Sequence, residues 1–200
     1  MNQRARATRG YTAVELLMAI SIFGIGVAGI ISMEKVTVAS NAHAKNLAIA
    51  THIAESWLDM LATDASTWNA PGLPGSTGLI GNTVWLNKVT ANANATSSWI
   101  LPAYSGTLRF GPAFDALGDP IDPAGTTPTA FCSHLRLSWL YQPTDPGGNG
   151  LIRAEVRVFW LKEGQAFAQN MCASGQVAAV GAATTTFSFV QKITAIRENN

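Results

Sequence analysis

Hydrophobic positions follow three rhythms along this chain. From Leu16 to Met33, eighteen residues run without a charge, interrupted only by Ser21 and Ser32. As a helix this stretch rises about 27 Å, close to the hydrocarbon thickness of a bilayer. Beyond Met33 apolar residues return at helical spacing: Val36, Leu47, Ala50, Ile53 or Ala54, Trp57 or Leu58, and Leu61. Asn41, Lys45, Asn46, Glu55 and Asp59 fall between them, as on an amphipathic helix. No proline occurs before Pro71, so nothing breaks a helix running from Tyr11 to about Ala62. Such a helix is roughly 78 Å long, membrane-spanning over 16–33 and amphipathic afterwards.

The third rhythm has period two. Cys132–Tyr141 alternates, with Leu135, Leu137, Trp139 and Tyr141 on one face. Asp145-Pro146-Gly147-Gly148-Asn149-Gly150 is a turn-rich loop, and Leu151–Leu161 follows. There Ile152, Ala154, Val156, Val158 and Trp160 oppose Arg153, Glu155 and Arg157, which completes a hairpin. Thr185–Ile196 is expected as a last strand. Residues 66–130 are loop-rich, with Pro71–Gly75, Thr90–Ser98 and Pro120–Pro128 as turn compositions. Shorter strands are expected there at Thr83–Val89, Ser98–Leu101 and Thr107–Phe110. The class predicted is α+β: a long N-terminal helix whose second half packs on an antiparallel sheet with one buried face. Three regions result, namely 1–10, the helix 11–62, and a head over 63–200.

Charge refines this outline. The formal net charge is +1, but Arg4, Arg6 and Arg9 all lie in the first ten positions. Without that segment ten basic and twelve acidic residues remain. A near-neutral head with no basic run argues against nucleic-acid binding. Arginines before a single apolar segment hold the N-terminus in the cytoplasm and send the head across the membrane.

The junction between basic leader and apolar run is unusual. It reads Arg9-Gly10-Tyr11-Thr12-Ala13-Val14-Glu15. An ordinary secretory signal is cut after its hydrophobic region, whereas the small residue Gly10 precedes this one. Glu15 places an acid at the edge of an apolar helix, where a charge near mid-bilayer costs on the order of 3 kcal/mol. Two plainer readings stand beside a functional one. The segment is then a simple anchor with an interfacial acid, or a secretory signal cut after Ala42-His43-Ala44, leaving a chain that begins at Lys45.

The combination of glycine, an aromatic residue, three further residues and glutamate, between a basic leader and an apolar run, resembles the class III signal of type IV prepilins. That resemblance implies the type IV pilin fold. It implies cleavage between Gly10 and Tyr11 by a prepilin peptidase, N-methylation of Tyr11, and a pairing of Glu15 with the N-terminal amine of a neighbouring subunit during assembly. Ile22–Gly29, with Gly24, Gly26 and Gly29, is similar to the corresponding helix of the PilV-type group of minor pilins, as is Ala54–Leu61. Many major pilins carry a proline where Ser32 stands, which points to a minor subunit. The implied role is structural: membership of a minor-pilin complex that primes pilus assembly, at or near the tip. The implied partners are major and minor pilins, the prepilin peptidase and the inner-membrane assembly platform. The implied location is the inner membrane, single pass with a periplasmic head, and then the pilus at the cell surface. Minor pseudopilins of type II secretion systems share this signal and are the nearest rival. A membrane-anchored extracytoplasmic binding module, such as an adhesin using exposed tryptophans, is a rival of another kind.

Cys132 and Cys172 show no metal-ligand spacing, and in a head outside the cytoplasm they are expected to pair. Closing 41 residues would constrain the unfolded chain by roughly 4 kcal/mol on the entropic model. Two unpaired core thiols are the alternative. Among six tryptophans, Trp57, Trp139 and Trp160 sit on core patterns, while Trp68, Trp85 and Trp99 are freer for a ligand. Asp115, Asp119 and Asp122, or Asp145 with Asn149, offer oxygen ligands for calcium without matching a defined loop, and turn residues are the preferred reading. His43 and His52, nine residues apart, point in different directions on a helix and suggest no metal. No nucleophile elbow, phosphate loop or zinc motif occurs, so neither an enzyme nor a cofactor is expected.

Overall fold

The computed structural model describes residues 12–68, 79–89, 98–144 and 150–197. Gly10 and Tyr11, the turn Asp145–Asn149 and the composition-biased stretches 71–75 and 90–97 lie outside them. The elements in chain order are helix α1 (Ala13–Ala65), two 3-10 turns at Leu79–Asn82 and Leu86–Lys88, β1 (Ala113–Phe114) and β2 (Pro120–Ile121). Then come β3 (Phe131–Tyr141), β4 (Leu151–Leu161), helix α2 (Val177–Ala182) and β5 (Phe187–Arg197). The five strands form one antiparallel sheet in the order β2-β1-β3-β4-β5. The fold is α+β. The chain divides into two compact units inside α1, Met1–Ala44 and Lys45–Asn200.

In the second unit α1 buries a stripe of Ala50, Ile53, Ala54, Trp57, Leu61 and Ala65. The spacing of three and four residues puts these side chains on one face. They share a core with Leu135, Leu137 and Trp139 of β3 and with Ile152, Ala154, Val156, Val158 and Trp160 of β4. Each large side chain removed from water here contributes about 1.5–3 kcal/mol. Trp57 lies at the centre, edge-on to Trp85 at 5.3 Å and to Phe110 at 4.7 Å.

The end of α1 is fixed by Asp64, which is 6% exposed. Its Oδ1 accepts the Val84 N–H at 2.7 Å, and its Oδ2 accepts those of Trp85 and Leu86 at 2.9 and 3.0 Å. This overturns the strand expected at Thr83–Val89. Successive N–H groups of a strand point to opposite edges, whereas these three converge on one carboxylate and curl the chain into a 3-10 turn. Two other short strands shrink for local reasons. Ser98–Leu101 reduces to a single bridge, Ile100 to Leu135. Thr107–Phe110 is a turn closed by a Ser105–Phe110 bridge, with Arg109 at a positive φ of 49° that no strand accommodates.

β3, β4 and β5 match the alternating segments within two residues, with two corrections. Trp139 pairs with Ile152 but Tyr141 pairs with Leu151, so Leu140 is an extra, bulged residue. The bulge turns Tyr141 to the face opposite Trp139, where it is 58% exposed. Second, the sheet is buried on both faces at one end. Ala113, Cys132, Phe159, Met171, Cys172, Val180 and Phe187 form a separate core on the side away from α1. Residues 162–186, including α2, cover that side, and a disulfide between Cys132 and Cys172 holds them there, with Cα atoms 5.7 Å apart.

Asp64→Asn exchanges one acceptor oxygen for a donor that faces buried N–H groups. The expected loss is about 3 kcal/mol, read as a lowered midpoint in denaturant unfolding followed by tryptophan fluorescence. An Asp59→Asn control, one turn earlier and exposed, is expected to leave the midpoint within about 0.5 kcal/mol of the parent.

Candidate functional site

Two places in the chain have unusual chemistry. The first is the start of α1. Thr12 precedes the helix, and its Oγ1 accepts the N–H of Glu15 at 3.3 Å while its carbonyl accepts that of Leu16 at 3.2 Å. Glu15 is the acid of the first turn. There a carboxylate meets the positive end of the helix dipole, which gives the acid a local stabilisation of about 0.3–1 kcal/mol. The side chains that follow are bare. Leu16 is 59% exposed, Phe23 72% and Ile25 75%. α1 is long and apolar enough to cross a membrane, and no part of its most apolar 18-residue window is buried. The hydroxyls in this half are satisfied within the helix itself. Ser21 donates to the Leu17 carbonyl at 2.8 Å, Ser32 to Gly29 at 2.8 Å and Thr37 to Met33 at 2.9 Å. These three donors are therefore satisfied even in apolar surroundings.

The second place is the outer face of β3, β4 and β5, opposite α1. Glu155 is 3% exposed although the alternation puts it on the polar side. Its Oε2 accepts from Arg136 Nη2 and, at 2.8 Å, from Gln191 Nε2, while its Oε1 is ion-paired with Arg153 Nε at 2.8 Å. One buried carboxylate thus compensates two arginines. Arg136 and Arg157 also lie against Trp99, their guanidinium carbons 4.7 and 4.5 Å from the ring centroid. Arg157 Nη2 donates to His134 Nδ1 at 2.8 Å. A guanidinium has only donors, so Nδ1 is the acceptor and the imidazole proton sits on Nε2. His134 is fully buried, and its Nε2 has no partner among the described residues. Burial, then the charge of Arg157, lowers its pKa to about 3. Burial and the neighbouring Arg136 lower that of Arg157 as well.

No family model, curated protein or solved structure matches this chain. Trp68 and Trp85, which sit off the core patterns of the sequence, are 3% and 2% exposed. Trp68 packs on Trp139 at 5.4 Å, and Trp85 Nε1 donates to the Ala103 carbonyl at 3.1 Å. Their burial is not patterned in the sequence because these partners are distant along the chain. Trp99 is half-buried, with its ring occupied by the two arginines. Asp115 Oδ1 accepts the N–H groups of Leu117 and Asp119 at 2.8 and 3.0 Å, and Asp122 Oδ1 accepts that of Ala124 at 2.9 Å. These carboxylates organise their own turns. Among the described residues no three of His, Cys, Asp and Glu are placed to hold a metal.

The burial of His134 and Glu155 does not follow from alternation alone, which puts both on the polar side, but the sequence carries one signal for it. Cys132, His134 and Arg136 are out of phase with Leu135, Leu137 and Trp139. A disulfide from Cys132 must draw chain onto that second face and bury what lies beside it.

The unfolded chain protonates a histidine near pH 6.5, but folded His134 stays neutral down to about 3. The unfolded state binds the extra proton across that window, so stability is retained above the upper value and falls as pH drops through it. The slope from this group approaches 1.4 kcal/mol per pH unit in the window. Thermal melting at pH 7 and pH 5 is expected to show the loss, and His134→Gln to flatten the dependence even where it lowers overall stability.

Proposed function

We propose that this protein is a minor type IV pilin, made as a prepilin, cut between Gly10 and Tyr11, and built into a pilus through α1. The observation that carries the reading is Glu15, placed in the first turn of a bare apolar helix and separated by three residues from a glycine–aromatic junction. The helix dipole offsets part of the cost of that acid and leaves a full negative charge at the edge of an apolar segment. The methylated amine of a neighbouring subunit neutralises it when the helices bundle. Gly10 and Tyr11 serve processing, and Glu15 serves assembly. Further support comes from a sheet packed on the second half of the helix and from the Cys132–Cys172 bond, which suits an oxidising compartment. The subunit waits in the inner membrane with its head in the periplasm. It then joins other pilins through the assembly platform, and its role is to prime or cap the fibre, without catalysis.

Co-expression with a prepilin peptidase is expected to yield a chain that begins at Tyr11 and carries one added methyl group by intact mass. Without the peptidase the leader remains. A native chain that still carries Met1–Gly10 overturns the reading. Glu15→Ala is expected to lower recovery in sheared fibres at least roughly tenfold while membrane insertion persists, because a neutral residue removes the reason for the neighbour's amine to bind.

A further inference from the structure

β5 ends the sheet, and its far edge has no neighbouring strand among the described residues. Which backbone groups it presents follows from the ladder. Leu135 exchanges both of its hydrogen bonds with Ile100, at 2.8 and 2.9 Å, on the side away from β4. Leu135 pairs with Val156, and Val156 with Lys192. Antiparallel bonds alternate, so Val156 bonds to Lys192, and the even-numbered residues of β5 face β4. The bond from the Lys162 N–H to the Thr186 carbonyl, at 3.0 Å, fits the same phase. The odd-numbered residues therefore direct their backbone groups outward. The Phe187 N–H is taken by the Ala183 carbonyl at 3.4 Å. Phe189, Gln191, Ile193 and Ala195 are left with both N–H and C=O on an open edge.

Edges this long are usually blunted by proline, charge or a bulge. This one has an unbroken register over Phe187–Arg197, no proline, and charge only at Lys192 and Arg197. Lys192 is turned to the α1 side and held by Glu55 at 3.1 Å. On the other face Phe189 and Ile193 are 56% and 53% exposed. Beside the edge, Leu58, Asp59 and Ala62 of α1 and Thr194 and Ile196 of β5 line a groove of about 540 Å³. The Asp59 carboxylate is exposed there and has no partner among the described residues, in contrast to Glu55.

The geometry points to strand addition: the β5 edge receives an extended segment of another protein. An alternating row of donors and acceptors is satisfied by an extended backbone, not by a helix or a small molecule. One set of the incoming side chains lies over Phe189 and Ile193 and is apolar. The other set enters the groove and includes a lysine or arginine that pairs with Asp59. A second copy of this chain is the poorer occupant: paired with itself through β5, it offers on the groove side only one cation, Lys192, which Glu55 already holds.

The test uses the full chain in detergent micelles, with backbone amide exchange followed by NMR. The probe is a ten-residue peptide of alternating valine and threonine with one lysine on its groove side. Its control is the same peptide N-methylated at alternate amides. In the free chain, the amides of Phe189, Gln191, Ile193 and Ala195 are expected to exchange fast and those of Val190, Lys192 and Thr194 slowly. The probe is expected to slow the first set, and the methylated control to leave it unchanged. Ile193→Pro removes one outward N–H without touching the bonds to β4, and is expected to weaken binding at least roughly tenfold with Lys192 still protected. Asp59→Asn is expected to weaken the lysine peptide and not a lysine-free one. The inference is overturned if the four outward amides are already as protected as the inward ones. The cover is then a second copy if the particle mass doubles, and a segment of this chain if it does not. Equal binding of the probe to Ile193→Pro also overturns it. A chain that kept its leader would sink the pilin reading and leave this exchange pattern as it is.

Discussion

Cys132 points away from the helix, and its bond to Cys172 holds residues 162–186 against the outer face of the sheet. Much of the head follows from this link. Phe159, beside Cys132 in the register, is dried by Met171, Val180 and Phe187 and becomes the centre of a second core. Next along the same face, His134 and Glu155 are removed from water, the imidazole beside Arg157 and the carboxylate beside Arg136 and Arg153. The cover reaches β5 only at Phe187, and the rest of that strand's outer face is bare. A dry face and a neutral histidine thus lie side by side on the outer side of the sheet.

Asp64 has the complementary role on the side facing α1. Its carboxylate sits where the helix stops and gathers three N–H groups that a loop would otherwise have to expose. Trp85 is thereby delivered against Trp57. Helix and loop meet at a charge with hydrogen-bond partners rather than at apolar contacts alone.

The sequence disclosed whatever depended on periodicity. α1 ends at Ala65, three residues past the expected Ala62, and the hairpin strands keep their alternation because each residue answers to a face. It concealed whatever depended on a distant partner. The turn at Thr83–Val89 was misread because Asp64 lies some twenty residues away. The bulge at Leu140 altered parity without altering composition. Trp68 and Trp85 looked free because nothing near them in sequence is patterned. In the apolar half of α1, Glu15 was visible as an anomaly, but its cap by Thr12 was not, since a capping threonine resembles any other polar residue until the helix start is known. The junction at Gly10 and Tyr11 was legible as a motif alone.

The hydroxyls of Ser21, Ser32 and Thr37 bond back to carbonyls of their own helix. The consequence concerns transfer between solvents. A helix that meets its polar needs internally presents the same inert surface to acyl chains and to other helices. It can be lifted from one into the other without exchanging a hydrogen bond. Among residues 13–33 only Glu15 carries a charge, so along that stretch it is the one side chain that would tell the two environments apart.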